Sequence, residues 1–222
     1  MNQSRRELFR TAVAGAAAAM VERNLSRNAA AQTALSADAA VQQLLDGNRR
    51  FVEGRMTSFD EDLEILKAKT VAQQQPFAAV LSCADSRVPV ELIFDQTIGH
   101  VFVTRVAGNI AASELIASLE YGVAVLGTKA IMVLGHANCG AVKAAIDAKP
   151  APGQISALYP YIRPAIEQAG TNLDAAIKAN AKIQAALLRQ SSPVFAEHIK
   201  QDRLKIVAGF YDLATGTVSI LD

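Results

Sequence analysis

The chain contains no tryptophan, two cysteines, three histidines and only 5% aromatic residues. Two cysteines in 222 residues are too few for a disulfide scaffold, and a chain of this length can bury a core without one. Charge is scarce as well, at 19% of residues, with 22 Lys and Arg against 21 Asp and Glu. A net charge near zero leaves no basic footprint for nucleic acid. No aromatic platform or glycine-rich phosphate loop stands in for one. No apolar run approaches the roughly 20 residues that span a bilayer, so no stable membrane anchor is expected. What is plentiful is apolar side chain, 51% of residues, which excludes disorder. A globular protein remains, in which each cysteine needs a reason.

The chain opens Ser4-Arg5-Arg6-Glu7-Leu8-Phe9-Arg10, continues through an Ala-rich stretch over 11–21, and reaches small residues at Ala29-Ala30-Ala31. A basic region, a short weakly apolar region and a small-residue site have the layout of a cleavable signal. The Arg5-Arg6 pair resembles the bacterial twin-arginine export signal, a receptor-read address rather than an anchor. Arg23 and Arg27 suit that route better than general secretion. We therefore expect residues 1–31 to be a signal, residues 32–222 to be one domain, and the location to be periplasmic. The alternative is an exposed amphipathic N-terminal helix on a cytoplasmic protein.

Residues 36–54 carry Val41, Leu44, Leu45 and Phe51 at helical spacing, with Ser36 placed to cap the start and Gly54 the end. A second, partly polar helix is expected over 61–72. Three short apolar runs then read as buried strands: Phe77-Ala78-Ala79-Val80-Leu81, Val101-Phe102-Val103-Thr104-Arg105-Val106 and Ala130-Ile131-Met132-Val133-Leu134. A helix is expected over 111–126 and a long helical stretch over 155–201. Leu204 to Phe210 reads as a further strand, followed by a Thr215-Gly216 turn and a closing strand over 217–221. No internal repeat or linker interrupts this order. It predicts a single α/β domain: a central, mostly parallel sheet flanked by helices, with an antiparallel edge strand. In such sheets ligands collect outside the carboxyl ends of the strands.

The first run ends in Cys83-Ala84-Asp85-Ser86-Arg87, the third in Gly135-His136-Ala137-Asn138-Cys139-Gly140. If those strands are neighbours, two thiolates and an imidazole converge with one position open, the ligand count of a catalytic zinc site. Cys139 would sit at a helix N-terminus, which favours the thiolate. Two buried free thiols, or a disulfide in an exported protein, would use the same cysteines differently. Neither needs His136, nor the Asp-x-Arg beside Cys83. Asp85 could bind the metal's open position or accept a hydrogen bond from water there. Arg87 can hold the carboxylate side-on and choose between those states.

Cys83-Ala84-Asp85-Ser86-Arg87 and His136-Ala137-Asn138-Cys139 together resemble the signature of the β-class carbonic anhydrases. The resemblance runs from about Ser36 to the C-terminus and includes Arg87-Val88-Pro89, Arg105-Val106-Ala107-Gly108-Asn109 and Leu119-Glu120-Tyr121-Gly122. It implies one Zn2+ per chain on Cys83, His136 and Cys139, with Asp85 and Arg87 as the catalytic dyad and Asp85 as fourth ligand in an inactive state. It implies substrate contacts from Gln74, Phe102, Ala107 and Tyr121, and reversible hydration of carbon dioxide to bicarbonate. It also implies a homodimer or homotetramer built through an N-terminal helical dimerisation arm, for which residues 36–54 have the apolar face. A related zinc hydrolase of carbon disulfide or carbonyl sulfide, or a non-catalytic envelope protein with a zinc site or disulfide, are the alternatives. The bicarbonate regulatory site of some bacterial members uses a tryptophan, so that mechanism does not carry over. His100 and His198 are expected at the solvated surface.

Overall fold

A computed structural model of the chain describes residues 33–58, 68 and 70–221. The expected export signal and most of the expected helix over 61–72 lie outside the described residues. Helix α1 (Ala37–Val52) starts where Ser36 Oγ accepts from Ala39 N–H at 3.2 Å. Strand β1 (Ala78–Ser82) leads to the single-turn α2 (Val90–Ile93), and β2 (Val101–Arg105) to α3 (Ser113–Ala124). Then come β3 (Ala130–His136), α4 (Gly140–Asp147), a 3-10 turn at Ile155–Leu158, α5 (Tyr159–Ala169), α6 (Leu173–Ser191) and α7 (Pro193–Lys200). Strands β4 (Lys205–Tyr211) and β5 (Val218–Ile220) close the chain. The expected long helix over 155–201 is divided at Gly170, whose φ of 68° ends α5, and at Ser192, whose hydroxyl caps α7.

The sheet runs in the order β2-β1-β3-β4-β5, with only β5 antiparallel. Its central strands are buried on both faces, and side-chain alternation divides them cleanly. Ala78, Val80, Ala130, Met132 and Leu134 point to one side, where Ala40, Val41 and Leu44 of α1 cover them. Ala79, Leu81, Ile131 and Val133 point to the other, under Leu119 of α3, Ala185 and Leu188 of α6 and Phe195 of α7. Of the apolar face expected to serve a dimerisation arm, Val41 and Leu44 are buried against the sheet, and Leu45 and Phe51 are half-buried. Asn48 pins α1 there: its amide donates to Ile93 O and Gly216 O, and its oxygen accepts from Val218 N–H. Gly47 makes the close approach possible, since a Cβ at that position would lie 1.8 Å from Phe94 O. His100 is exposed as expected, whereas His198 is half-buried, with Nδ1 2.9 Å from Val194 O. Among the described residues no helix is long and apolar enough to cross a membrane.

Candidate metal centre

A third buried cluster lies beyond the carboxyl ends of the strands and contains both cysteines, with Ile110, Val142, Ile162, Ile177 and Phe210. Strands β1 and β3 are direct neighbours with Ser82 opposite Leu134, so Cys83 leaves β1 at the level where β3 reaches Gly135 and His136. Two residues further, Asn138 turns the chain in the left-handed region (φ 54°) and brings Cys139 back as the N-cap of α4. Register and turn together set one ligand atom each of Cys83, His136 and Cys139 within 4.8 Å of one another, all three residues buried.

The donor chemistry of this cluster fits a cation. His136 Nδ1 lies 2.9 Å from Ala137 O, and a carbonyl can only accept, so the ring carries its proton on Nδ1. Nε2 is left as a lone-pair donor, and it is buried without a hydrogen-bond partner. An orphaned buried nitrogen of this kind is costly unless something else meets it. The sulfurs are 4.0 Å apart and both cysteines are free, so the disulfide alternative is not what this structure contains. They share a proton: the hydrogen bond from Cys139 draws the Cys83 thiol down, helped by the Gly108 N–H at 3.3 Å. The same bond to Cys83, with burial, pushes the Cys139 thiol up. The N–H groups of Ala141 and Val142 at the start of α4 do lower Cys139, as a helix terminus should, but they are outweighed. A cation in place of the shared proton would satisfy both sulfurs and the imidazole together.

Asp85 stands at the open side. Arg87 donates Nε to Asp85 Oδ1 at 2.9 Å and Nη2 to Oδ2 at 2.8 Å, and its backbone N–H also reaches Oδ1. This side-on grip holds the Asp85 carboxyl well below the usual carboxylate range. Oδ2 faces the cluster, 3.9 Å from His136 Nε2. Arg87 Nη2 also touches Asn138 O at 3.3 Å, which ties the pair to the loop between the other two ligands. Cys83, Asp85, Arg87, His136 and Cys139 are thus brought together as the motifs required.

The remaining candidates are placed differently. Ala107 immediately precedes Gly108, the donor to Cys83. Phe102 and Tyr121 pack with ring centroids 6.4 Å apart and planes tilted by 42°, but Phe102 is opposite Ala79, three residues below the end of β2, and packs toward α3. Gln74 is exposed on the segment leading into β1. Sequence reasoning attached no role to Arg105 and Gly108, although it noted the segment that holds them. Arg105 Nε donates to Cys83 O at 2.9 Å and its Nη2 to Asp85 O, so the end of β2 holds the loop that carries both motif residues.

Comparison with known proteins agrees with this geometry. The family model described as carbonic anhydrase matches residues 78–218. The chain belongs to the carbonic anhydrase family. Carbonic anhydrase 2 of Mycobacterium tuberculosis is 35% identical over 198 residues, covering 83% of this chain and 92% of the relative. A carbonic anhydrase of Mycolicibacterium smegmatis is 36% identical over 190 residues, covering 82% and 92%. Among solved structures, the Coccomyxa β-carbonic anhydrase superposes with a TM-score of 0.65 at 28% identity, covering 80% of this chain and 84% of that one. The mostly parallel five-stranded sheet flanked by helices is the β-carbonic anhydrase fold.

Proposed function

We propose that this protein is a zinc-dependent carbonic anhydrase that interconverts carbon dioxide and bicarbonate, with one zinc per chain on Cys83, His136 and Cys139. The observation that carries the reading is three converging ligand atoms with an ionised carboxylate–guanidinium pair at their open side. Two sulfurs and one unpartnered imidazole nitrogen suit zinc, and three protein ligands leave a position free. Zinc bound there supplies the Lewis acidity that makes water a nucleophile near neutral pH.

The chain's own part is orientation. Asp85, kept ionised by Arg87, has no proton to give and offers Oδ2 as an acceptor beside His136 Nε2. A water that donates to Oδ2 has one hydrogen fixed, and its lone pair is then aimed by the protein rather than by diffusion. The proposed inactive state, with Asp85 as fourth ligand, requires giving up the bonds to Arg87 Nε and Nη2. Substrate contacts are proposed for Gln74, Phe102, Ala107 and Tyr121. Carbon dioxide is apolar and small, so an apolar wall and one amide donor suit it. A second copy of the chain against the β2 edge would cover Ile98, Tyr121 and Val125, exposed by 57%, 48% and 36%. On that ground we read the protein as a homodimer or homotetramer whose site is completed by its partner.

Zinc content and stopped-flow carbon dioxide hydration, measured on wild type and Asp85→Ala, test the reading. Both proteins should hold close to one zinc per chain, and the variant should lose most of its activity. A zinc-replete wild type without hydration activity at any pH refutes it. Residues 1–31 are proposed as a twin-arginine signal leading to the periplasm. Cell fractionation with an Arg5→Lys, Arg6→Lys variant should show the protein retained inside, and export unchanged by that variant refutes the route.

A further inference from the structure

Helix α6 buries two amide side chains on a face otherwise made of alanine, isoleucine and leucine: Asn180 and Gln184 are 0% and 1% exposed. Such groups destabilise a core unless their hydrogen bonds are made, and here two of the four are made to one segment. Asn180 Nδ2 donates to Gly108 O at 2.8 Å. Gln184 Oε1 accepts from Ala111 N–H at 2.9 Å, and its Nε2 donates to Asn180 Oδ1 and to Tyr161 O. Val106 N–H still donates to Ser82 O of β1 at 3.1 Å, but residues 107–111 belong to neither β2 nor α3 and have no ladder or helix to complete. This segment also turns through two successive left-handed residues, Gly108 (φ 80°) and Asn109 (φ 44°). Asparagine tolerates that conformation better than other non-glycine residues, so the turn is local and the bonds from α6 fix where it sits. The N–H of Gly108 donates to Cys83 Sγ. Gly108 is therefore gripped from both sides, by the ligand sulfur at its N–H and by α6 at its carbonyl. The helix lies close enough because Gly135 has no side chain: a Cβ there would meet Ile177 Cγ2 at 3.2 Å and Ala181 Cβ at 3.4 Å.

We infer that Asn180 and Gln184 are positioning residues of the metal centre, clamping the 108–111 loop so that the Gly108 N–H holds the Cys83 sulfur in its ligating position. The inference rests on the proposed zinc site. Outer hydrogen bonds of this kind orient a ligand, and losing one typically costs about 10- to 100-fold in metal affinity. Asn180→Asp keeps the shape and the acceptor for Gln184 but sets an oxygen against the Gly108 carbonyl. Gln184→Met keeps the volume and removes the grip on Ala111 N–H together with the bond that orients Asn180, and it decides the matter if Asn180→Asp does not fold. Leu188→Ala, on the same helix but packed against the sheet, controls for general loosening.

Three quantities are measured on each full-length protein: the zinc dissociation constant by competition with a chromophoric chelator, the thermal midpoint, and the sulfur-to-metal charge-transfer absorption of the cobalt-substituted form. The clamp variants should bind zinc about 10- to 100-fold more weakly and shift the cobalt band. Leu188→Ala should lower the thermal midpoint while zinc affinity stays within about threefold of wild type. Unchanged zinc affinity in the clamp variants, or an equal loss in Leu188→Ala, overturns the inference and leaves the functional reading standing. A wild-type chain that retains no zinc overturns the functional reading, and the clamp with it.

Discussion

Replacing Asp85 by asparagine separates two roles that the carboxylate could play. Of the three hydrogen bonds Arg87 makes to Asp85, two end on Oδ1, at 2.9 Å from the backbone N–H and 2.9 Å from Nε, and an asparagine oxygen keeps both. The third, from Nη2 to Oδ2 at 2.8 Å, is lost because an amide NH2 now faces a guanidinium NH2. The side chain stays in place while the atom facing His136 Nε2 changes from an acceptor to a donor. Zinc content should not fall, because Asp85 is not one of the three converging ligands. Turnover should fall by about 10²- to 10⁴-fold, the usual worth of a positioned group that accepts a proton or hydrogen bond in the transition state. Arg87→Gln leaves Asp85 with its backbone donor alone, and should lose about 10- to 100-fold. Because the two act as one unit, the double variant should be within about threefold of Asp85→Asn rather than show the product of the single losses. Stopped-flow hydration at matched zinc occupancy reads all four corners of the cycle. Turnover in Asp85→Asn within about threefold of wild type refutes the orienting role, and multiplicative losses refute the unit.

His136→Ala should release most of the zinc, seen by metal analysis after gel filtration, while circular dichroism stays native because His136 is the last residue of β3 and the strand before it remains buried. Burial alone would raise the Asp95 carboxyl, but Arg50 and the N–H groups of Ser58 and Thr57 hold it down at about 2. Its lowered folded-state value stabilises the protein at neutral pH, by about 2 kcal/mol, and that contribution is lost as pH falls from about 4 through about 2. Urea midpoints measured across that range should slope downward in wild type and far less in Asp95→Asn; equal slopes would exclude the effect. Gly47→Ala should cost about 3 kcal/mol or more, because its methyl would have to displace the Phe94 carbonyl and push α1 away from the end of α2. A thermal midpoint equal to wild type would contradict that packing.

Strands β1 and β3 were legible because each is a short apolar run, buried on both faces, whose end is marked by a polar motif. That property is local to a few residues, so it survives without any knowledge of neighbours. The breaks at Gly170 and Ser192 were less visible: a helical pattern runs through the whole stretch, and the φ of 68° and the capping hydroxyl decide where it divides. The roles of Arg105 and Gly108 were illegible for another reason. Their partners are backbone atoms and a sulfur on a different strand, and no spacing along the chain reports a contact made through a sheet. Gln74 is exposed, and Phe102 packs against Tyr121 and the cluster under α3 rather than the cysteine cluster, so a place for them at the site belongs to the proposed assembly.

What the amino-acid order determined by itself is that Cys83 and His136 each stand at the carboxyl end of a buried strand, with Asp85, Arg87 and Cys139 a few residues further on. Hydrophobic runs and the turns that end them are short-range matters of burial and backbone sterics. Only the tertiary structure decided that β1 and β3 are neighbours, in the register that puts Ser82 opposite Leu134, with β2 on the other side delivering Gly108 to Cys83. Strand order and helix approach depend on which faces pack together across the molecule. A glycine such as Gly135, which lets α6 close on β3, shows its purpose only once both elements are in place.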